Sequence, residues 1–140
     1  MLCFVCHTNR PWKGVKDQFL EDLMHLNNCA AIWEHPAHVT QRTAWLSEMG
    51  RVTTDDLIFM FANKRSGHWG IIGVGKAKGA REGPISPMRL RPNWYGEEWL
   101  VPVEWLVWNP ANPCSFRALN ASFYECDPEQ TAVIRGHFHV

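Results

Sequence analysis

Asp55-Asp-Leu-Ile-Phe-Met-Phe-Ala62 is followed by Asn63-Lys-Arg-Ser-Gly67 and then by Trp69-Gly-Ile-Ile-Gly-Val-Gly-Lys-Ala77. These residues decide the fold class. Two apolar, β-prone runs flank a short polar connection, which is the pattern of a hairpin. Gly73 and Gly75 fall inside the second run, where glycine marks a bulge or a close approach of other atoms to the backbone. Thr53-Thr-Asp-Asp56, just upstream, is turn chemistry leading into the first strand.

Working outward, Leu2–Thr8 reads as a strand, Cys29–Trp33 as a short strand and Leu100–Trp108 as a Val- and Trp-rich strand. Asp17–Leu26 places Phe19, Leu20, Leu23, Met24 and Leu26 on a helical period, with acids early where the helix dipole favours them. A second helix is expected to open at Pro36, run through Leu46 and stop at Gly50. Ala121–Cys126 and Thr131–Val140 read as a final pair of strands. The expectation is an α+β fold: a small, curved, mostly antiparallel β-barrel with one to three flanking helices, in a single domain over residues 1–140.

The chain has 140 residues, 46% of them hydrophobic, and carries 14 basic and 14 acidic side chains for a formal net charge of +0. A balance of this kind argues against a protein that coats nucleic acid through bulk charge. No apolar run approaches the roughly 20 residues needed to span a bilayer, so no membrane partner is expected. The opening MLCFVCHTNRPW has neither a basic leader nor a small-residue cleavage site, so a cytoplasmic setting with reduced thiols is expected for the five cysteines. They read as small buried hydrophobes.

Charge is uneven along the chain. Lys64, Arg65, Lys76, Lys78, Arg81, Arg89 and Arg91 face a single acid, Glu82, within residues 64–91. A neutral protein with one basic segment suits local recognition of an anion. The aromatic content is also uneven, with 8 Trp against 2 Tyr. Trp12, Trp33, Trp69, Trp94 and Trp99 fall at or near the ends of expected elements. Flat rings beside basic residues suit stacking on a nucleobase, as in Arg89-Leu-Arg-Pro-Asn-Trp94-Tyr95. Trp105 and Trp108, three apart on one strand, should face opposite ways.

Other motifs are weaker. Cys3-Phe-Val-Cys6-His7 matches the haem-attachment string, but two thiols three apart on a strand point to opposite faces. A zinc site combining them with His137 and His139 would need a sharp turn that Phe4-Val5 does not favour. His137 and His139 would share one face of the expected last strand. No metal and no cofactor are expected, and no nucleophile elbow or phosphate loop is present.

Several of these segments carry a resemblance. Cys3-Phe-Val-Cys-His-Thr-Asn9-Arg-Pro-Trp12 resembles the opening strand of EVE domains, which ends in an Asn and a Trp before a helix. Thr54–Asn63 with Gly70–Ala77 is similar to the second signature of that family, and Trp99-Leu-Val-Pro-Val-Glu-Trp105 to its later Trp-containing strand. Asp55 stands where the family has a turn glycine, and Phe61-Ala-Asn63 where it has Tyr-x-Ser. EVE domains are PUA-like, related to YTH and ASCH domains. The resemblance implies a five- or six-stranded barrel flanked by helices, with a concave pocket for a flipped, often modified, base of DNA or RNA. Carried over, Asn9 and Trp12 would lie near the pocket rim, Phe61 and Asn63 at its floor, and Trp33, Trp94 and Trp99 around it. Lys64, Arg65, Lys76, Lys78, Arg89 and Arg91 would hold the flanking phosphates. The expected function is a non-catalytic reader of a modified nucleobase. The alternatives are an ASCH-like hydrolase of a modified nucleoside, with Lys64 and Glu97 or Glu98 as its groups, and an interaction module for a small molecule or protein on the same fold.

Overall fold

The structure, a computed structural model, describes residues 1–7, 20–34, 39–65, 68–90, 92, 96–119 and 121–140, with backbone only at 34, 39–43, 63–65 and 68–69. Its strands are β1 (Cys3–His7), β2 (Cys29–Glu34), β3 (Leu57–Arg65), β4 (His68–Ala77), β5 (Glu82–Ile85), β6 (Glu97–Trp108) and β7 (Phe123–Glu125). The helices are α1 (Leu20–Leu26), α2 (Val39–Gly50) and α3 (Pro128–Phe138). The strands join in the order β2-β6-β4-β3-β1-β7, with β5 paired to β6, as a curled half-barrel. The β1–β3 pair is parallel and the others are antiparallel.

The apolar runs of β1 and β3 follow from burial on both faces. Leu57, Phe59 and Phe61 enter one core with Cys3 and Val5, while Ile58, Met60 and Ala62 enter the other with Phe4 and Cys6. A strand covered on both sides has no polar face to show, so the run is continuous rather than alternating. The inner core lies within the curl of the sheet, where α1 contributes Leu20 and Met24. The outer core is closed by Cys114 from the connection after β6 and by Ile134 and Phe138 of α3. Cys3 and Cys6 thus face opposite ways, as strand alternation requires, and all five cysteines are buried.

The described part of the first expected helix is α1. Its chain reverses at Asn28, which takes a left-handed φ of 52° and donates its N–H to the His25 carbonyl at 3.3 Å. The Thr53–Asp56 turn also forms. Asp56 is buried, and its carboxylate accepts from the Leu2 and Thr53 N–H groups, both at 2.9 Å. These bonds tie the N-terminus to the start of β3.

Three expectations need correction. The last segment is a helix, not a strand. Asp127 caps it by accepting from the Gln130 N–H at 2.8 Å, Pro128 occupies the first turn, and His139 ends it in a left-handed conformation. His137 therefore belongs to a helix end, where its Nε2 lies 3.0 Å from the Asn112 carbonyl, and the two histidines do not share a strand face. The connection between β3 and β4 is shorter than expected, because the strands extend to Arg65 and from His68. Finally, Trp105 and Trp108 lie on the same side. The β4–β6 register shifts between Val74 and Gly75, leaving Leu106 as an extra residue, and the bulge turns both indoles into the inner core.

The two indoles cover the strand glycines. A Cβ at Gly73 would sit 2.5 Å from Trp108 Cε3, and one at Gly75 would sit 2.8 Å from Trp105 Cε3. The close approach expected from the glycine pattern is therefore made by the Trp108 ring at Gly73, and by Val103 Cγ1 together with the Trp105 ring at Gly75. Trp108 in turn stacks on His25 of α1 at 4.2 Å and 3°, and the Trp105 Nε1–H donates to the Met24 carbonyl at 3.2 Å. The indoles thereby seat α1 in the curl of the sheet.

Candidate nucleic-acid interface

Parallel pairing of β1 with β3 sets His7 opposite Phe61. The C-terminal ends of these two strands therefore emerge side by side. One continues toward Asn9 and Trp12, which lie outside the described residues, as do Trp94 and Arg91. The other carries the backbone of Asn63, Lys64 and Arg65 to the end of β3. This pairing brings together, at one end of the sheet, two segments more than fifty residues apart in the chain.

Phe61 itself is a core residue, 3% exposed. Its ring meets the His7 ring edge-on at 4.7 Å between centroids and lies 6.0 Å from Phe116. Strand alternation sends it into the outer core. Trp99 instead packs against the inner core. The expected grouping of Phe61 with Trp99 around one cavity is not what the structure shows, because the two rings leave the sheet on different sides.

Trp33 and Trp99 sit on neighbouring strands but point to opposite faces, because directly paired residues share a face and successive ones alternate. In the β2–β6 register Trp33 pairs with Glu98 and Ile32 with Trp99, and both tryptophans are half-buried. Trp99 lies close to the backbone of β5, since a Cβ at Gly83 would come within 3.0 Å of its ring. The guanidinium of Arg81 sits over the Trp99 ring, 4.8 Å from its centroid, and donates to the Leu46 carbonyl at 2.6 Å. This cation–π contact links β6 to α2. Arg81 was visible in the basic segment, but only the folded chain reveals its partner.

Glu98 is fully buried, and its Oε1 accepts from the Arg89 and Leu90 N–H groups at 3.0 and 3.2 Å. The carboxylate thus anchors the loop after β5. Of the expected phosphate ligands, Lys76 is half-buried on β4 opposite Glu104. Lys78 pairs with Glu104 at 3.1 Å and Arg89 with Glu82 at 3.9 Å, all four exposed. Exposed pairs of this kind contribute little to stability and exchange readily for other anions.

His7 is the site-adjacent residue that sequence reading missed. Its Nδ1 lies 3.3 Å from the Leu119 carbonyl, its Nε2 is buried without a hydrogen-bond partner among the described residues, and burial lowers its pKa from the ordinary 6.5. A shallow cavity of about 150 Å³ lies nearby between residues 115–117 and α3, lined by Phe116, Arg117, Gln130, Val133 and Ile134 among others. It contains none of the expected pocket residues.

No family model matches the chain, and no curated protein matches it significantly. Solved structures do. A structural-genomics protein from Pseudomonas putida superposes with a TM-score of 0.59 at 17% identity, covering 96% of this chain and 98% of that one. A hypothetical protein from Leishmania major gives 0.60 at 11% identity, covering 99% and 96%. A protein from Pseudomonas syringae gives 0.56 at 15% identity, covering 96% and 97%. At these identities the likeness is one of fold, and it extends over nearly the whole of each chain. No described helix is long and apolar enough to cross a membrane.

Proposed function

We propose that this protein is a non-catalytic, EVE-like reader of a modified nucleobase in DNA or RNA. The observation that carries the reading is the parallel β1–β3 pair, which brings the strand end leading to Asn9 and Trp12 beside the strand end bearing Asn63. Those are the positions to which the sequence resemblance assigns the pocket. An asparagine amide offers both a donor and an acceptor to the Watson–Crick edge of a base. In this scheme a tryptophan supplies the stacking face, a contact of about 1–3 kcal/mol per base. Phe61 takes a supporting role in this scheme, filling the core beneath the strand end. The engagement of Glu98 with the Arg89 and Leu90 backbone favours a binding role over a hydrolytic one, since it commits that carboxylate to holding the loop.

The test is tryptophan fluorescence titrated at low salt with short oligonucleotides, single- and double-stranded, carrying methylated cytosine or methylated adenine, and with their unmodified counterparts. One modified oligonucleotide should quench emission at lower concentration than its unmodified partner. Asn63→Ala should weaken that preference without changing the unfolding midpoint. Lys76→Ala should weaken all oligonucleotides alike and reduce the salt slope by about one. Absence of quenching by every oligonucleotide would remove the base-reader proposal and favour an interaction module.

A further inference from the structure

Cys3 and Cys126 face each other across the sheet. The β1–β7 register pairs Phe4 with Glu125, Val5 with Tyr124 and Cys6 with Phe123, so the next pair outward is Cys3 with Cys126. The Cys126 N–H donates to the Cys3 carbonyl at 2.8 Å, and four residues along β1 the His7 N–H donates to the Ser122 carbonyl at 2.9 Å in the same register. Hydrogen-bonded pairs recur at every second residue of an antiparallel ladder, with Cα atoms about 5.5 Å apart. A disulfide most often spans about 5.5–6 Å between Cα atoms. Directly opposed residues project to one face, and both cysteines pack in the outer core beside Ile134. Thr131 of α3 acts on both thiols, lowering their pKa values against the rise that burial causes.

We propose that Cys3 and Cys126 form an oxidative cross-link site that fastens the β7–α3 segment to β1. The oxidant is a peroxide. One cysteine, as its thiolate, attacks a peroxide oxygen. The O–O bond breaks, giving a sulfenic acid and, after proton uptake, one water. The second thiol, on losing its proton, attacks the sulfenic sulfur, the S–O bond breaks and a second water leaves. Two sulfurs are oxidised and one peroxide is reduced.

The position suits a latch. β7 has only three residues and ends the sheet, so it is the strand whose opening exposes the pair at least cost. A bond between residues 3 and 126 closes nearly the whole chain into a loop, which restricts the unfolded state more than a short loop would. Burial raises both thiol pKa values, while Arg135 acts in the opposite direction on Cys3, and Asp56 and Asp127 add to the rise at Cys3 and Cys126 respectively. The reaction is therefore slow at neutral pH and accelerates in alkali.

The experiment treats the native full-length chain with hydrogen peroxide at about pH 8.5, where more thiolate is present. Thiols are then counted after denaturation, and a non-reducing digest is analysed by mass spectrometry. The count should fall by two from the starting five. The digest should contain a Cys3–Cys126 peptide, and the unfolding midpoint should rise by several degrees and return with dithiothreitol. Cys3→Ser and Cys126→Ser should abolish both the link and the shift, while Cys114→Ser keeps them. Should a serine variant fail to fold, the wild-type digest decides alone. Five surviving thiols, a link between other cysteines, or Cys3 passing to sulfinic acid without a link would each overturn the proposal. Oligonucleotide binding plays no part in this readout, so its outcome is independent of the base-reader test.

Discussion

Replacing Gly73 by alanine tests whether the indoles of β6 hold α1 in place. An alanine Cβ there would lie 2.5 Å from Cε3 and 2.9 Å from Cζ3 of Trp108, and 3.1 Å from the Val107 carbonyl oxygen. Carbon atoms in favourable contact sit about 3.5–4.0 Å apart, so the ring must move by about 1 Å. It has little room to do so. Trp108 lies flat on His25 at 4.2 Å and edge-on to Trp105 at 5.1 Å, and Trp105 is tied to the Met24 carbonyl. Overpacking of this kind costs about 1–3 kcal/mol. Removing a strand glycine returns about 0.5–1 kcal/mol of backbone entropy. The mid-range values leave a net loss of roughly 1 kcal/mol, a fall of about 4 °C in the unfolding midpoint for a domain of this size. Thermal unfolding followed by circular dichroism and tryptophan emission measures it. Two alanine variants serve as controls. Gly79→Ala meets only Pro102 Cγ at 3.4 Å and should be neutral, while Gly136→Ala, on α3 with nothing within 4 Å, should be stabilising. A Gly73→Ala protein as stable as Gly79→Ala would refute the reasoning. Combining Gly73→Ala with Trp108→Leu should recover about 0.5–3 kcal/mol relative to additivity, since the clash is with that ring.

Two further outcomes follow from other parts of the fold. Burial holds His7 below its ordinary pKa of 6.5, so as the pH falls the unfolded chain binds the proton first. The stability contributed by neutral His7 is complete above about 6.5 and is lost as the pH drops toward the lower folded value. Urea midpoints between about pH 7 and 5 should therefore decline less steeply in His7→Gln than in the wild type, and equal slopes would exclude His7 as the source. Asp127→Ala should lower stability by about 1 kcal/mol by removing the α3 cap, and Asp127→Asn by much less, both read by chemical denaturation. Equal losses for Ala and Asn would mean that the charge, and not the capping hydrogen bond, stabilises the helix end.

Much of the architecture was legible one residue at a time. The apolar runs of β1 and β3 announce strands, and both form, each buried on its two faces. Gly73 and Gly75 of β4 announce a close approach, and the Trp108 ring, with Val103 and the Trp105 ring, makes it. The acids and apolar spacing before Asn28 mark α1, whose described part runs from Leu20 to Leu26. Asp127-Pro-Glu-Gln130 was an equally readable helix start, and the β-rich appearance of Thr131–Val140 concealed it.

What only the tertiary structure decided concerns which faces meet. Alternation tells that Phe61 and Ala62 point apart, but it does not tell which core will receive which. That depends on α1 filling the inside of the curl and α3 closing the outside. The bulge that places Trp105 and Trp108 together is set by the register of β6 against β4, and a strand viewed alone cannot carry it. The same holds for the juxtaposition of Cys3 with Cys126 and of the β1 end with the Asn63 end of β3. Local propensity is fixed by neighbours in sequence, whereas pairing between segments far apart in the chain is fixed by which buried surfaces fit once the sheet curls.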